Sequence, residues 1–176
     1  MRVNSHVNQG ERYLDLAREG REDFLEQAAP AALVRLASNE APDRSAQNDE
    51  EPTTVVALAE VGGSSRAGSF GHIEVYPLVK KPGAAFSDMI TLGRTANNDV
   101  VLDHITISRF HAYFKKVDGG WRVCDSGSKN GTRLLGTRLE ARKEVPVEPG
   151  NSLRFGEVDM TFMTAERLYD FLVEAP

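Results

Sequence analysis

Between Glu11 and Ala29 the apolar residues Tyr13, Leu16, Ala17, Phe24 and Ala28 recur at spacings of three, four or seven, with Glu and Arg between them. That period predicts an amphipathic helix, which Gly20 divides into two pieces. Pro30 then suits the first turn of a further short helix over Ala31–Ala37. The run "SNEAPDRSAQNDEEPTT", Ser38–Thr54, has no period and reads by composition as a disordered linker. "EVGGSSRAGSFG", Glu60–Gly71, is a second flexible stretch, and Thr53–Ala59 between them is a brief apolar island.

From His72 the pattern becomes one of short strands. "HIEVYPLV" alternates Ile73, Val75 and, out of step by one residue, Leu78, and "MITLG" follows the turn signal "KPGA". Then come "DVVL", "FHAYFKKV", "WRVCD", "GTRLL", "TRL", "VPV", "SLRF" and "VDMTFM". Turn signals at Asp118-Gly119-Gly120, Asn130-Gly131, Pro149-Gly150-Asn151 and Gly156 separate them at roughly the 8–12-residue spacing of all-β sandwiches. No helical pattern intervenes, so a parallel α/β sheet is not expected. Thr164 reads as the N-cap of a last helix, "AERLYDFLVEA", with Leu168, Phe171 and Leu172 on one stripe. The division expected is a helical extension (1–37), an acidic and Gly/Ser-rich linker (38–71), a β-sandwich (72–163) and a C-terminal helix (164–176).

Composition narrows the function. The chain has 176 residues, 40% of them hydrophobic, enough for one domain with a core plus extensions. Its one cysteine, Cys124, excludes an internal disulfide framework and any Cys-rich metal site. The opening "MRVNSHVNQG" lacks the apolar stretch of a signal peptide, and no apolar run approaches the ~20 residues that span a bilayer, so a cytoplasmic location is expected. The net charge of −5 argues against general nucleic-acid binding. Residues 1–51 hold six Lys/Arg and eleven Asp/Glu, so the excess negative charge lies in the N-terminal third.

Three loops are richer than connection requires: "LGRTANND" (Leu92–Asp99), "TISRFHAYF" (Thr106–Phe114) and "CDSGSKNGTRLLG" (Cys124–Gly136). The last holds an Asn-Gly pair, a strong hairpin signal because both residues tolerate positive φ. Together the loops offer Arg94, Ser108, Arg109, Lys129 and Asn130. Arg presents a planar fork that suits phosphate, Ser adds a short O–H donor, and an Asn amide can bridge a peptide backbone. That inventory suits a phosphorylated peptide. Arg133, Arg138, Arg142 and Arg154 read instead as solvated strand faces and edges.

"LGR", "SRFH" and "GSKNGT" in this order, followed by "LRFGEVDMTF", resemble the forkhead-associated (FHA) family over about residues 72–163. The resemblance implies an all-β, eleven-stranded sandwich that binds phosphothreonine peptides through loops at one end, with no cofactor. It assigns Arg94 and Ser108 to the phosphate, lets Arg109 add a second cation, and gives Asn130 the peptide main chain beside the phosphothreonine. Lys129 stands where family members vary. Gly93, His111 and Gly131 become architectural. The implied partners are phosphothreonine proteins, a Ser/Thr kinase or its substrate, and neither nucleic acid nor membrane. "NDEEPTTVVAL", Asn48–Leu58, looks like the target of an acid-directed kinase. It also resembles the acidic Thr-Thr segment of some bacterial FHA regulators, which is phosphorylated and folds back onto its own domain. Thr53 and Thr54 are then candidate phosphorylation sites; the reading favoured for Thr53–Ala59 is the plainer one, an extra strand or an unstructured patch.

Two rival readings stand beside this one. Ser108, His111 and Asp125 are the residue types of a hydrolase triad, but three residues apart at a strand start Ser108 and His111 are expected on opposite faces. There is no G-x-S-x-G elbow, Walker loop or H-E-x-x-H pair, and His6, His72, His104 and His111 share no metal-ligand spacing. The expectation is therefore a non-enzyme. The other rival is a structural or protein-interaction sandwich with no phosphate dependence.

Overall fold

The computed structural model describes residues 9–36, 73–84 and 86–174. Their eleven strands form two sheets. One runs, from edge to edge, β2 (Ile73–Pro77), β1 (Ala31–Leu36), β11 (Val158–Thr164), β10 (Ser152–Phe155), β7 (Thr132–Leu134) and β8 (Thr137–Arg138). The other runs β4 (Val100–Val101), β3 (Ile90–Gly93), β5 (Ala112–Val117), β6 (Gly120–Asp125) and β9 (Val145–Val147). Only the β3–β4 pair is parallel. Alternate residues of both sheets point into one core: Leu33, Leu153, Phe155 and Phe162 from the first meet Leu92, Phe114, Trp121 and Val123 from the second. Phe162 stacks on Phe114 at 6.1 Å between centroids and takes the Trp121 ring edge-on at 6.0 Å. Such pairs add about 0.5–1.5 kcal/mol to their burial. The expected eleven-stranded sandwich with flanking helices is what the chain forms.

The helix expected over Ala31–Ala37 is corrected: Ala31–Leu36 is β1. It lies between β2 and β11, with Ala31 and Leu33 in the sandwich core and Ala32 and Val34 on the opposite face. A strand buried on both faces shows no alternation, and so short an apolar run carries no period that tells helix from strand.

The helices cover that opposite face. α1 (Gly10–Glu19) and α2 (Arg21–Gln27) break at Gly20, whose φ is 129°, as the sequence predicts. With α3 (Ala165–Glu174) they bury Tyr13, Leu16, Phe24, Leu168 and Leu172 against Ala32, Val34, Val75 and Met163. Phe24 sits between the rings of Tyr13 and Tyr169, edge-on to both. Burying a side chain of this size contributes roughly 1.5–3 kcal/mol, which fixes the helices as a third layer on β2–β1–β11. The other half of that sheet's outer face, on β10, β7 and β8, carries exposed Arg154, Arg133 and Arg138. The expected linker 38–71, with Thr53 and Thr54, lies outside the described residues. Among the described residues no helix is long and apolar enough to cross a membrane.

Candidate functional site

The chemistry-bearing residues sit on three loops, β3–β4, β4–β5 and β6–β7. The last does not form the expected Asn-Gly hairpin. β6 and β7 belong to different sheets, and although Gly131 has φ 81°, Asn130 is not among the described residues with positive φ. The tight hairpin lies further on, where Leu135 (φ 50°) and Gly136 (φ 80°) join β7 to β8.

A buried carboxylate overrides the local turn preference. Asp125 Oδ1 accepts the amides of Gly127 and Ser128, both at 2.9 Å, and Oδ2 accepts the hydroxyls of Ser128 and Thr132, both at 2.7 Å. Burial by itself would raise this carboxyl's pKa, but the bonds from Ser128, Thr132 and Gly127 hold it below the ordinary range. Ser128 Oγ in turn accepts the Gly131 amide at 2.9 Å. Asp99 does the same work for the first loop. Its carboxylate accepts Thr91 N–H (2.8 Å), Thr91 Oγ1 (2.9 Å), Lys81 N–H (2.8 Å) and Lys80 Nζ (2.7 Å), and its pKa is likewise lowered against the effect of burial. Sequence reasoning missed both roles. For Asp125 the available signal was an Asp followed at short range by Gly, Ser and Thr, a side chain suited to capping its own loop; Asp99, followed by Val100, Val101 and Leu102, carried no such signal.

These supports join the loops to one another. Gly93 passes so close to the second loop that a Cβ would lie 2.2 Å from the Arg109 carbonyl oxygen and 2.7 Å from Asn98 Nδ2. Asn98 Nδ2 donates to that carbonyl at 2.7 Å, and Arg94 N–H donates to the Ser108 carbonyl at 3.0 Å. Lys129 N–H donates to Ser108 Oγ at 3.0 Å, leaving the serine's own proton to donate elsewhere. Asn130 Nδ2 donates to the Thr106 carbonyl at 2.8 Å, which leaves its Oδ1 and second N–H for another partner. Arg94, Ser108, Arg109, Lys129 and Asn130 therefore belong to one hydrogen-bonded loop cluster. All are exposed except Ser108, which is half-buried.

His111 is the internal tie of that cluster. It is fully buried; its Nδ1 accepts the Ser108 amide at 3.0 Å, so the ring proton lies on Nε2, facing the Gly131 carbonyl at 3.1 Å. The expectation that Ser108 and His111 take opposite strand faces is corrected, because β5 begins only at Ala112 and the chain bends at Arg109–Phe110 before it. With both ring nitrogens engaged by backbone, neither remains for Ser108 Oγ. Among the described residues no group of His, Cys, Asp or Glu is placed to hold a metal ion.

Burial lowers the His111 pKa, although the Gly131 bond and the nearby Asp125 act the other way. The unfolded chain takes up a proton near the usual pKa of about 6.5, while the folded chain resists it. Stability is thus expected to be complete above that value and to fall as pH drops from it toward the lowered folded value. His111→Ala should lose about 1–3 kcal/mol by leaving the Ser108 amide unpaired, while the Gly131 carbonyl keeps the Gly156 amide, and should flatten this pH dependence. Urea midpoints at pH 7.5 and 5.5 for both proteins read the difference; parallel slopes would exclude His111 as the titrating group.

Residues 90–156, from β3 to the turn before β11, match the family model of the FHA domain. The chain carries an FHA domain. Over 77 residues it is 35% identical to the oxoglutarate dehydrogenase inhibitor of Corynebacterium diphtheriae, covering 44% of this chain and 52% of that protein. Over 78 residues it is 32% identical to the glycogen accumulation regulator GarA of Mycolicibacterium smegmatis, covering 44% of this chain and 48% of that one. The FHA chain thus spans about half the length of these curated relatives. The solved structure of the MEK1 FHA domain superposes with a TM-score of 0.46 at 22% identity, covering 80% of this chain and 94% of that one.

Proposed function

We propose that this FHA protein binds phosphothreonine peptides and serves as an adaptor or regulator in Ser/Thr kinase signalling. The observation that carries the reading is the loop cluster, in which three cations, a hydroxyl with a free proton and an amide with free bonding capacity share one hydrogen-bonded frame. Arg94 and Ser108 bind the phosphate, Arg109 and Lys129 add positive charge, and Asn130 holds the peptide main chain. Gly93, His111 and Gly131 keep the frame in register. The names of the two curated relatives, an inhibitor and a regulator, accord with a binding protein rather than an enzyme. The partner is a phosphothreonine protein, a kinase or its substrate, met in the cytoplasm. Phosphorylation at Thr53 or Thr54 would turn the site inward.

The test is a titration with a phosphothreonine peptide and its unphosphorylated twin. The expected Kd for the first is roughly micromolar, about −8 kcal/mol. Three or four charge-assisted bonds at ~1.5–3 kcal/mol each supply this after the cost of ordering the peptide. Affinity should also fall below pH ~6, where the phosphate takes up its second proton. Equal affinity for the two peptides would leave a sandwich with no phosphate dependence.

A further inference from the structure

Three arginines read from the sequence as solvated surface stand in one row. In the strand register Arg154 of β10 lies opposite Arg133 of β7, and Arg133 lies opposite Arg138 of β8. Residues directly opposite in antiparallel strands point to the same side, and here that is the outer face, since Leu153 and Phe155 flank Arg154 and point into the core. Like charges placed opposite one another destabilise a sheet, so the row is a cost to folding that an anionic partner would offset. Asp159 of β11 reaches the inner end only, 3.6 Å from Arg154, and both partners remain substantially exposed. The outer end runs into the loop cluster. The Arg138 guanidinium lies over Gly131, so close that a Cβ there would sit 2.8 Å from it, one residue from Asn130.

We infer that the row receives the acidic residues flanking a bound phosphothreonine. The inference rests on the phosphothreonine reading of the loop cluster and names the class of peptide that the site prefers. From β8 to β10 the row crosses two strand spacings, roughly 10 Å, which an extended peptide covers in about three residues. A run of about three Asp or Glu beside the phosphothreonine matches it in length and charge. The chain's net charge of −5 disfavours a nucleic acid as the occupant.

The experiment measures four phosphothreonine peptides by fluorescence anisotropy on the full chain. Two carry an Asp-Glu-Glu run before or after the phosphothreonine, and two are their Asn-Gln-Gln twins. In the wild type at least one acidic peptide should bind about fivefold more tightly than its twin, with the gain shrinking as salt is added. Arg133→Gln/Arg154→Gln should lose most of that gain while binding the neutral peptides as before, and Arg133→Lys/Arg154→Lys should keep most of it. Equal binding of acidic and neutral phosphopeptides, or a gain that survives the Gln variant, would overturn this inference alone. Failure of every phosphopeptide to bind would overturn the phosphothreonine reading and the row's role with it. An oligothymidylate that displaces the acidic peptide at physiological salt would reassign the row to nucleic acid.

Discussion

Arg94→Ala is expected to weaken phosphothreonine-peptide binding by about 30-fold or more, the largest effect of any single substitution in the site. The phosphate brings a charge of about −1.5 to −2 at neutral pH, and removing one partner of a desolvated charge pair costs roughly 2–5 kcal/mol. Much of that loss comes from the charge left unpaired. The fold should survive because the loop does not depend on the Arg94 side chain. Its backbone is held by the Arg94 amide on the Ser108 carbonyl, by Gly93 against Arg109, and by Asp99 beneath. Ser108→Ala removes the acceptor of the Lys129 amide and the donor proposed for the phosphate, and Asn130→Ala removes the bond to the Thr106 carbonyl and the contacts proposed to the peptide main chain; both should cost less. Arg94→Lys should recover part of the loss, since it restores the charge without the planar fork. Anisotropy titrations alongside thermal melts separate affinity from folding. Normal binding by a folded Arg94→Ala protein would place the phosphate elsewhere.

Strands with one wet face and glycine-marked turns were readable as patterns, which is why the elements from Ile73 onward fall where expected. β1 was not readable. Its outer face is buried by α1, α2 and α3 and its neighbour β11 lies more than a hundred residues away, so nothing within the run itself distinguishes it from a helix begun by Pro30. The Asn130-Gly131 turn fails for a related reason. Its local preference is real, but the Asp125 bonds and the passage of the chain from one sheet to the other set the backbone instead. The residues proposed for the site were legible as types on loops. What positions them was legible only in part: the family resemblance marked His111 as architectural, but Asp99 and Asp125 act through burial, which depends on the finished fold. The arginine row was least legible of all, because Arg133, Arg138 and Arg154 become neighbours only through the register of β10, β7 and β8.

Phosphorylation at Thr53 or Thr54 is expected to lower affinity for an external phosphopeptide by about a hundredfold, through occupation of the site by the chain's own phosphothreonine. The fold anchors the segment that carries these threonines more closely than a simple N-terminal tail would. Leu36, the last residue of β1, pairs with Ile73, the first of β2, so both ends of 37–72 are fixed side by side. Val34 lies opposite Thr161, which puts the end of β1 level with the start of β11. That start follows Gly156 and Glu157, whose amides donate to the Gly131 carbonyl at 3.0 Å and to Thr106 Oγ1 at 3.1 Å. Leu36 and Ile73, the described residues that flank the segment, therefore lie at the same end of the sandwich as the three-loop cluster. From β1 to β7 is three strand spacings, roughly 15 Å, while the chain between Thr54 and Ile73 could extend to about 60 Å. Reach is not limiting. A tether of this length gives an effective concentration on the order of millimolar, about a hundred times or more a Kd of ~1–10 μM, so an outside peptide would compete at that disadvantage. Asp49, Glu50 and Glu51 lie just before the threonines, an acidic flank of the kind the arginine row would favour. Without the phosphate the segment lacks the group that Arg94 and Ser108 bind, and the site stays open. The measurement titrates an external phosphopeptide into kinase-treated wild type and into a Thr53→Ala/Thr54→Ala variant treated the same way. Unaltered affinity in the phosphorylated wild type would refute the switch. Inhibition that grows with protein concentration would show that the phosphorylated segment binds a neighbouring molecule rather than its own.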